Sequence, residues 1–354
     1  MQQFTGPEFD ELFRHFRTRK FRIFLAVFLL LMLVVVPCTG LFWSTNHSSR
    51  ATTKAAEKQV AYAKISTDRT YRTVFTGKTL TMKIQCDATK KHPKPHLTFR
   101  SSDKNIATVS KKGRIHARKP GEAVITCKAP NDQKLRLKLF VRKKSSHVVY
   151  LTYDDGPGAH QTPKLLRVLK KYNAHATFFV VGSQAKRHPK LIRRELENGN
   201  AVGIHTYTHN YRRIYKNGKA YFRDFERTEA LLEKIAGQRT NYVRMPGGSN
   251  NGFVKRKTSR RIIRRLHQKG YHVMDWTAAS QDAVGVRYST RQLTRFAIRT
   301  SRGQNPKIIL MHDSDAKPHT AAVTRNVIKY YKKKGYTFES LETYEGKDIL
   351  FLNL

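Results

Sequence analysis

Five short stretches hold the residue types that hydrolytic chemistry needs: TYDDGPG (152–158), HTYTH (205–209), RMPGG (244–248), DW (275–276) and LMHD (310–313). Asp154 and Asp155 stand side by side in a chain with 69 Lys plus Arg against 25 Asp plus Glu, so composition alone does not account for the pair. His205 and His209 are spaced so that one turn of chain can aim both imidazoles at one point. With a carboxylate they form a three-ligand set with open positions, the pattern of catalytic rather than structural zinc. Two neighbouring acids can then divide the work, one as a ligand and the other free as a general base. Arg244 could hold the free acid in place and ionised. The glycines after Pro246 would let main-chain N–H groups approach a developing oxyanion. His312 could protonate a leaving group, and Leu310, on the same side of its strand, could line a pocket for a small acyl methyl. Taken singly, each also fits a plain role: surface histidines, a turn or helix N-cap at Asp-Asp-Gly, a solvated Arg in a tight turn, a strand-tip His. Their convergence is the informative feature.

The elements that must position them follow from hydrophobic patterning. Apolar runs at 148–155, 176–182, 202–206, 241–246, 271–277, 307–313 and 336–341 alternate with amphipathic stretches such as TPKLLRVLKKY and TSRRIIRRLHQKG. Several of the latter end in Gly after Lys or Arg, as helix C-termini prefer. Strict strand–helix alternation predicts a parallel α/β sheet or barrel, here with seven strands. In such folds the working residues collect at the C-terminal ends of the strands, where all five stretches fall.

These five stretches, in this order and spacing across 148 to about 345, resemble the motifs of the polysaccharide deacetylase family (the NodB homology domain, carbohydrate esterase family 4). The resemblance implies a distorted seven-stranded (β/α) barrel and a divalent metal held by Asp155, His205 and His209. Zinc is the usual ion, with cobalt, nickel or manganese as alternatives. It further implies Asp154 as base, Arg244 as the residue that orients it, His312 as acid, Leu310 as the acetate-pocket wall and the Gly247 N–H as an oxyanion donor. One motif departs. Ala279 and Ala283 stand where many members carry an Asp and a Trp, leaving Asp282; Asp275 and Trp276 lie just upstream, and Trp276 is assigned to the substrate pocket in compensation.

Upstream, the chain changes character. RHFRTRKFR (14–22) precedes an apolar run through Trp43 of about 21 residues, roughly 31 Å as a helix and long enough to span a bilayer. The expected organisation is a basic cytoplasmic segment (1–22), a transmembrane anchor (23–43), a linker (44–63), a small β-sandwich (64–142), a second linker (143–147), the catalytic domain (148–345) and a tail (346–354). Short alternating runs between 64 and 142 predict the sandwich. The stretch LTFRSSDKNIATVSKKGRIHARKPGEAVITC resembles the bacterial Ig-like group 2 domain, a spacer or adhesive module. Within it Cys86 and Cys127 are readable either as a disulfide or as two thiols.

The net charge of +44 and pI near 10.5 imply an anionic partner. With the basic flank inside and the chain outside, nucleic acid is excluded, which leaves anionic wall polymers and the membrane itself. The expected function is therefore that of a single-pass, extracellular-facing hydrolase that removes N-acetyl groups from an aminosugar polymer, first of all peptidoglycan N-acetylglucosamine. Poly-N-acetylglucosamine or chitin oligomers, O-acetyl esters, and a non-catalytic wall-binding role are the alternatives.

Overall fold

The computed structural model describes residues 61–352. The anchor and the basic segment expected before it lie outside those residues. Among the described residues no helix is long and apolar enough to cross a membrane.

Nine short strands come first among the described residues: β1 (Ile65–Thr67), β2 (Tyr71–Phe75), β3 (Thr79–Thr81), β4 (Ile84–Cys86), β5 (Thr98–Ser101), β6 (Ala107–Val109), β7 (Arg114–Ala117), β8 (Gly121–Lys128) and β9 (Lys134–Arg142). They form a four-stranded sheet in the order β2-β9-β8-β5, a three-stranded sheet β3-β7-β6 and a β1-β4 pair. Alternation explains the core. Ala123, Ile125 and Cys127 of β8 point inward with Leu137, Leu139 and Val141 of β9, while the residues between them, apart from the buried Phe140, are more exposed. Cys86 and Cys127 are both free thiols.

The second half builds one parallel sheet. Its strands are β10 (Val148–Asp154), β11 (Ala176–Val180), β12 (Ala201–Ile204), β13 (Tyr242–Val243), β14 (His272–Val273), β15 (Ala278–Ala279), β16 (Lys307–His312) and β17 (Thr337–Phe338). The order is β14-β13-β12-β11-β10-β16-β15, with β17 paired to β10. This corrects the seven-stranded expectation in two ways. An eighth strand, Ala278–Ala279, is present, and no ladder joins β14 to β15, so the sheet curls without closing. Two alanines carry no β-branched or aromatic signal, which is why periodicity passes over them.

Among the described residues eight helices cover the outside: α1 (Gln161–Lys171), α2 (Gly182–Arg187), α3 (Pro189–Glu197), α4 (Tyr211–Ile214), α5 (Gly218–Ala236), α6 (Arg256–Gln268), α7 (Thr290–Ser301) and α8 (Thr320–Lys332). Local chemistry sets their ends. The Asn217 side chain accepts from Ala220 N to start α5, and Gly237 ends it at φ 65°. Ser289 and Gln292 close a capping box on α7.

Central strands of a covered parallel sheet are buried on both faces, as β10 and β11 are. On β10, Val149, Leu151 and Tyr153 face the helices, within the main core. The alternate residue Tyr150 packs with Phe179, Met274, Ile308 and Leu341 in a separate cluster on the concave side. By the same period of two, Thr152 and Asp154 continue that inner row to the strand's C-terminal end.

Candidate active site

The register of β10 against β16 places Thr152 opposite Leu310 and Asp154 opposite His312. The first acid and the late histidine therefore meet because two adjacent strands end at the same level. Chain reversal after β10 puts Asp155 at φ 71°, a left-handed conformation that Asp tolerates better than most residues. Gly156 follows because a Cβ there would lie 2.1 Å from Asp313 Oδ1, so any side chain would force the buried Asp313 carboxylate to move.

Asp155 Oδ1 lies 3.6 Å from His205 Nε2 and 3.3 Å from His209 Nε2. It is buried and has no hydrogen-bond partner. His205 Nδ1 donates to the Arg244 carbonyl at 2.7 Å, and because a carbonyl can only accept, this fixes the tautomer and turns the Nε2 lone pair inward. Burial, with His209 adding to it, holds the His205 imidazole down to about 3, so it is neutral, as a ligand must be. One carboxylate and two imidazole donor atoms, mutually within 4.8 Å, with an orphaned oxygen between them, fit a divalent ion. Among the described residues no other His, Cys, Asp and Glu cluster has this spacing.

Asp154 sits beside this set but is held differently. Its Oδ1 accepts from Arg244 Nη1 at 2.9 Å, and its Oδ2 stands 3.7 Å from His205 Nε2. Burial pushes the Asp154 carboxyl up, and the Arg244 guanidinium pulls it back. Arg244 is itself completely buried. It donates to Thr152 Oγ1 at 2.8 Å, Met274 O at 2.8 Å and Asp275 O at 2.9 Å, and its guanidinium lies 4.2 Å over the Phe179 ring. A buried cation with this many partners is a rigid fixture, and the acid it holds is rigid too.

His312 Nδ1 lies 2.9 Å from Asp282 Oδ1, and His312 N donates to Asp282 Oδ2 at 2.9 Å. Burial opposes a charge on His312, but the hydrogen bond and charge of Asp282, joined by Asp154 and Asp155, raise it to about 9. Leu310 is buried on the same strand, two residues below. The Gly247 N–H makes no hydrogen bond among the described residues, and Gly247 is exposed at φ 77°.

Sequence reasoning missed the work of two acids. Asp282, read only as the remainder of an altered motif, grips His312 from 30 residues away. Asp224 on α5 accepts from Tyr207 N, from Thr208 N at 3.0 Å and from Thr208 Oγ1 at 2.8 Å, tying down the loop that carries both histidines. Neither contact leaves a local pattern in the chain. Asp275 does not compensate for the missing Asp with its carboxylate. That group accepts from Ser249 N, Ser249 Oγ and Phe351 N, and only the Asp275 carbonyl meets Arg244. Trp276, expected in the substrate pocket, packs edge-on against Phe351 at 4.8 Å and lies 5.7 Å from the Arg244 guanidinium.

A curled parallel sheet carrying paired acids, two convergent imidazoles, a buried Arg and a carboxylate-held His at its strand ends defines a hydrolase of the α/β class. Comparison with known proteins sharpens this. The polysaccharide deacetylase profile matches residues 141–274. A peptidoglycan-N-acetylglucosamine deacetylase of Bacillus cereus is 34% identical over 203 residues, covering 56% of this chain and 70% of that protein. The catalytic domain of peptidoglycan N-acetylglucosamine deacetylase from Eubacterium rectale superimposes with a TM-score of 0.56 at 30% identity, over 60% of this chain and 96% of that one. The polysaccharide deacetylase Bc1974 from Bacillus cereus gives 0.52 at 33% identity, over 58% and 97%. The chain belongs to the polysaccharide deacetylase family and is a hydrolase of that kind. The matched span holds Asp154, Asp155, His205, His209 and Arg244; it ends before Asp282, Leu310 and His312, whose place rests on the geometry above.

Proposed function

We propose that this chain removes N-acetyl groups from N-acetylglucosamine in peptidoglycan, releasing acetate, with a divalent metal, zinc first, held by Asp155, His205 and His209. Such an ion supplies Lewis acidity toward the amide carbonyl and toward water. The remaining work belongs to side chains. Asp154, fixed by Arg244, takes a proton from the attacking water. The Gly247 N–H donates to the oxygen that gains charge as the carbonyl carbon becomes tetrahedral. His312, protonated and held by Asp282, gives its proton to the sugar nitrogen as the carbon–nitrogen bond breaks. Leu310 packs on the acetyl methyl.

The observation that carries this reading is the division between the two acids. Asp154 spends an oxygen on Arg244, whereas Asp155 keeps a buried oxygen unpartnered between two imidazole nitrogens. The named relatives support the substrate class. We extend the proposal to the whole chain. Residues 23–43 anchor it in a membrane with the catalytic domain (148–345) outside, and residues 64–142 form an Ig-like spacer. The basic surface then meets anionic wall polymers.

The test is acetate release from purified peptidoglycan by the full chain, with and without a chelator, followed by a count of free glucosamine amines. Chelator-sensitive release with new amines is expected. Release only from O-acetylated glycan would overturn the amide reading, and release that ignores the chelator would overturn the metal.

A further inference from the structure

We propose that Tyr211 and Phe253 form a sugar subsite at the mouth of the site, one that takes the pyranose ring next to the residue whose acetamide is cleaved; this rests on the aminosugar-polymer reading above. Both residues follow site-bearing strands. Tyr211 is two residues beyond His209, and Phe253 is six beyond Gly247.

Tyr211 occupies the space a side chain at position 247 would need. A Cβ on Gly247 would stand 3.1 Å from Tyr211 Cε1 and 3.3 Å from its hydroxyl oxygen. The Tyr211 ring meets His209 edge-on at 5.2 Å and 89°, so its position is tied to a metal ligand. Its hydroxyl has no hydrogen-bond partner among the described residues, leaving a donor available beside the free Gly247 N–H.

Phe253 is 64% exposed, yet it does not hang loose. Its N–H donates to Asn251 Oδ1 at 3.0 Å, and Asn251 Nδ2 donates in turn to Gly248 O at 2.8 Å and Pro246 O at 3.2 Å. The same asparagine thus pins Phe253 and shapes the loop that carries Gly247. The Phe253 ring tilts against Tyr211 at 4.4 Å and 52°. An apolar ring held rigidly in solvent, contiguous with the reacting centre, offers a flat surface at small entropic cost to a ligand. A pyranose ring has the complementary form: an apolar C–H face to lie on Phe253 and a rim of hydroxyls, one of which the Tyr211 hydroxyl can take.

The experiment compares wild type, Phe253→Ala, Phe253→Trp and Tyr211→Phe, all as full chains. Substrates are an N-acetylglucosamine disaccharide, the tetrasaccharide, and a small aryl acetate ester that reports the hydrolytic machinery alone. Phe253→Ala should lower kcat/KM on the tetrasaccharide about tenfold, through KM, while the ester rate stays within about twofold. Phe253→Trp should restore the loss. Tyr211→Phe should cost about threefold to tenfold on sugars and little on the ester. An unchanged kcat/KM on the tetrasaccharide in Phe253→Ala overturns the subsite, as does an equal loss on the ester. Wild-type protein that cleaves the ester but no N-acetyl sugar would instead overturn the aminosugar reading. Calorimetric binding of the tetrasaccharide to wild type and Phe253→Ala then decides the subsite by itself.

Discussion

Asp282 uses both carboxylate oxygens on one residue, accepting from the main-chain N–H and from the ring of His312. The pairing decides the charge of the histidine. Burial alone would leave it neutral, and the neighbouring carboxylates outweigh burial to bring it to about 9. A general acid has to begin protonated, so activity should persist through neutral pH and fall as pH rises through about 9. In Asp282→Asn the charge disappears while the burial remains, and the alkaline limb of kcat should move down by at least about one pH unit. A pH–rate profile with an unmoved limb would remove His312 from the acid role. Folding carries the same sign. A value raised above the ordinary 6.5 stabilises the native state fully below 6.5, and that contribution is lost as pH rises through about 9. The thermal midpoint of wild type should accordingly fall more steeply across that window than that of Asp282→Asn.

The loop from β12 to α4 shows what an element must do to make ligands of two histidines. Thr206 at φ 63° and His209 at φ 52° are both left-handed without being glycine, which costs on the order of 1 kcal/mol or more each. Asp224, projecting from α5, holds the residues between them with three hydrogen bonds. Removing it should leave the sheet folded but release the loop. For Asp224→Ala we expect a metal affinity lower by about tenfold to hundredfold, with Asp224→Asn intermediate because one acceptor oxygen survives. Competition against a chromophoric chelator measures this, and an unchanged affinity would show that the loop holds its shape without α5. The contrast between His205 and Asp224 explains what a sequence reveals. His205, His209, Arg244 and His312 are legible because a parallel sheet gathers its strand ends, and strand ends can be read from apolar runs. Asp224 and Asp282 act across the fold on partners 16 and 30 residues away, and no periodicity encodes that distance. β15 escapes for a different reason: its two alanines pair with Ile309 and Leu310 through main chain alone, without any side-chain preference to announce it.

At the scale of the molecule, the small sheets of the first half are tied to the parallel sheet by a seam that is mostly polar. Thr70 Oγ1 donates to Ala236 O at 2.9 Å, Thr73 N to Glu342 Oε2 at 3.1 Å, and Lys138 Nζ to Glu197 O at 2.8 Å. Arg142 Nη2 lies 2.6 Å from His175 Nε2, and burial, reinforced by that guanidinium, pulls the imidazole down to about 3, so the ring nitrogen is a neutral acceptor. The centre of the seam is Gln238, which ends the turn after α5. Its Oε1 accepts from both Thr70 N at 3.0 Å and Tyr71 N at 2.8 Å, and the residue is buried. Truncation to Ala would leave two main-chain donors facing a gap, a loss of about 2–3 kcal/mol if water does not replace the oxygen. None of these residues touches Asp154, Asp155, His205, His209 or His312, so hydrolysis of a small acetate ester should proceed at the wild-type rate in Gln238→Ala. Its calorimetric unfolding, by contrast, should begin several degrees earlier, with the first-half strands melting ahead of the parallel sheet. An undisturbed single transition would mean that the apolar and ionic contacts of the seam suffice, and that Gln238 only fills a space that solvent could fill as well.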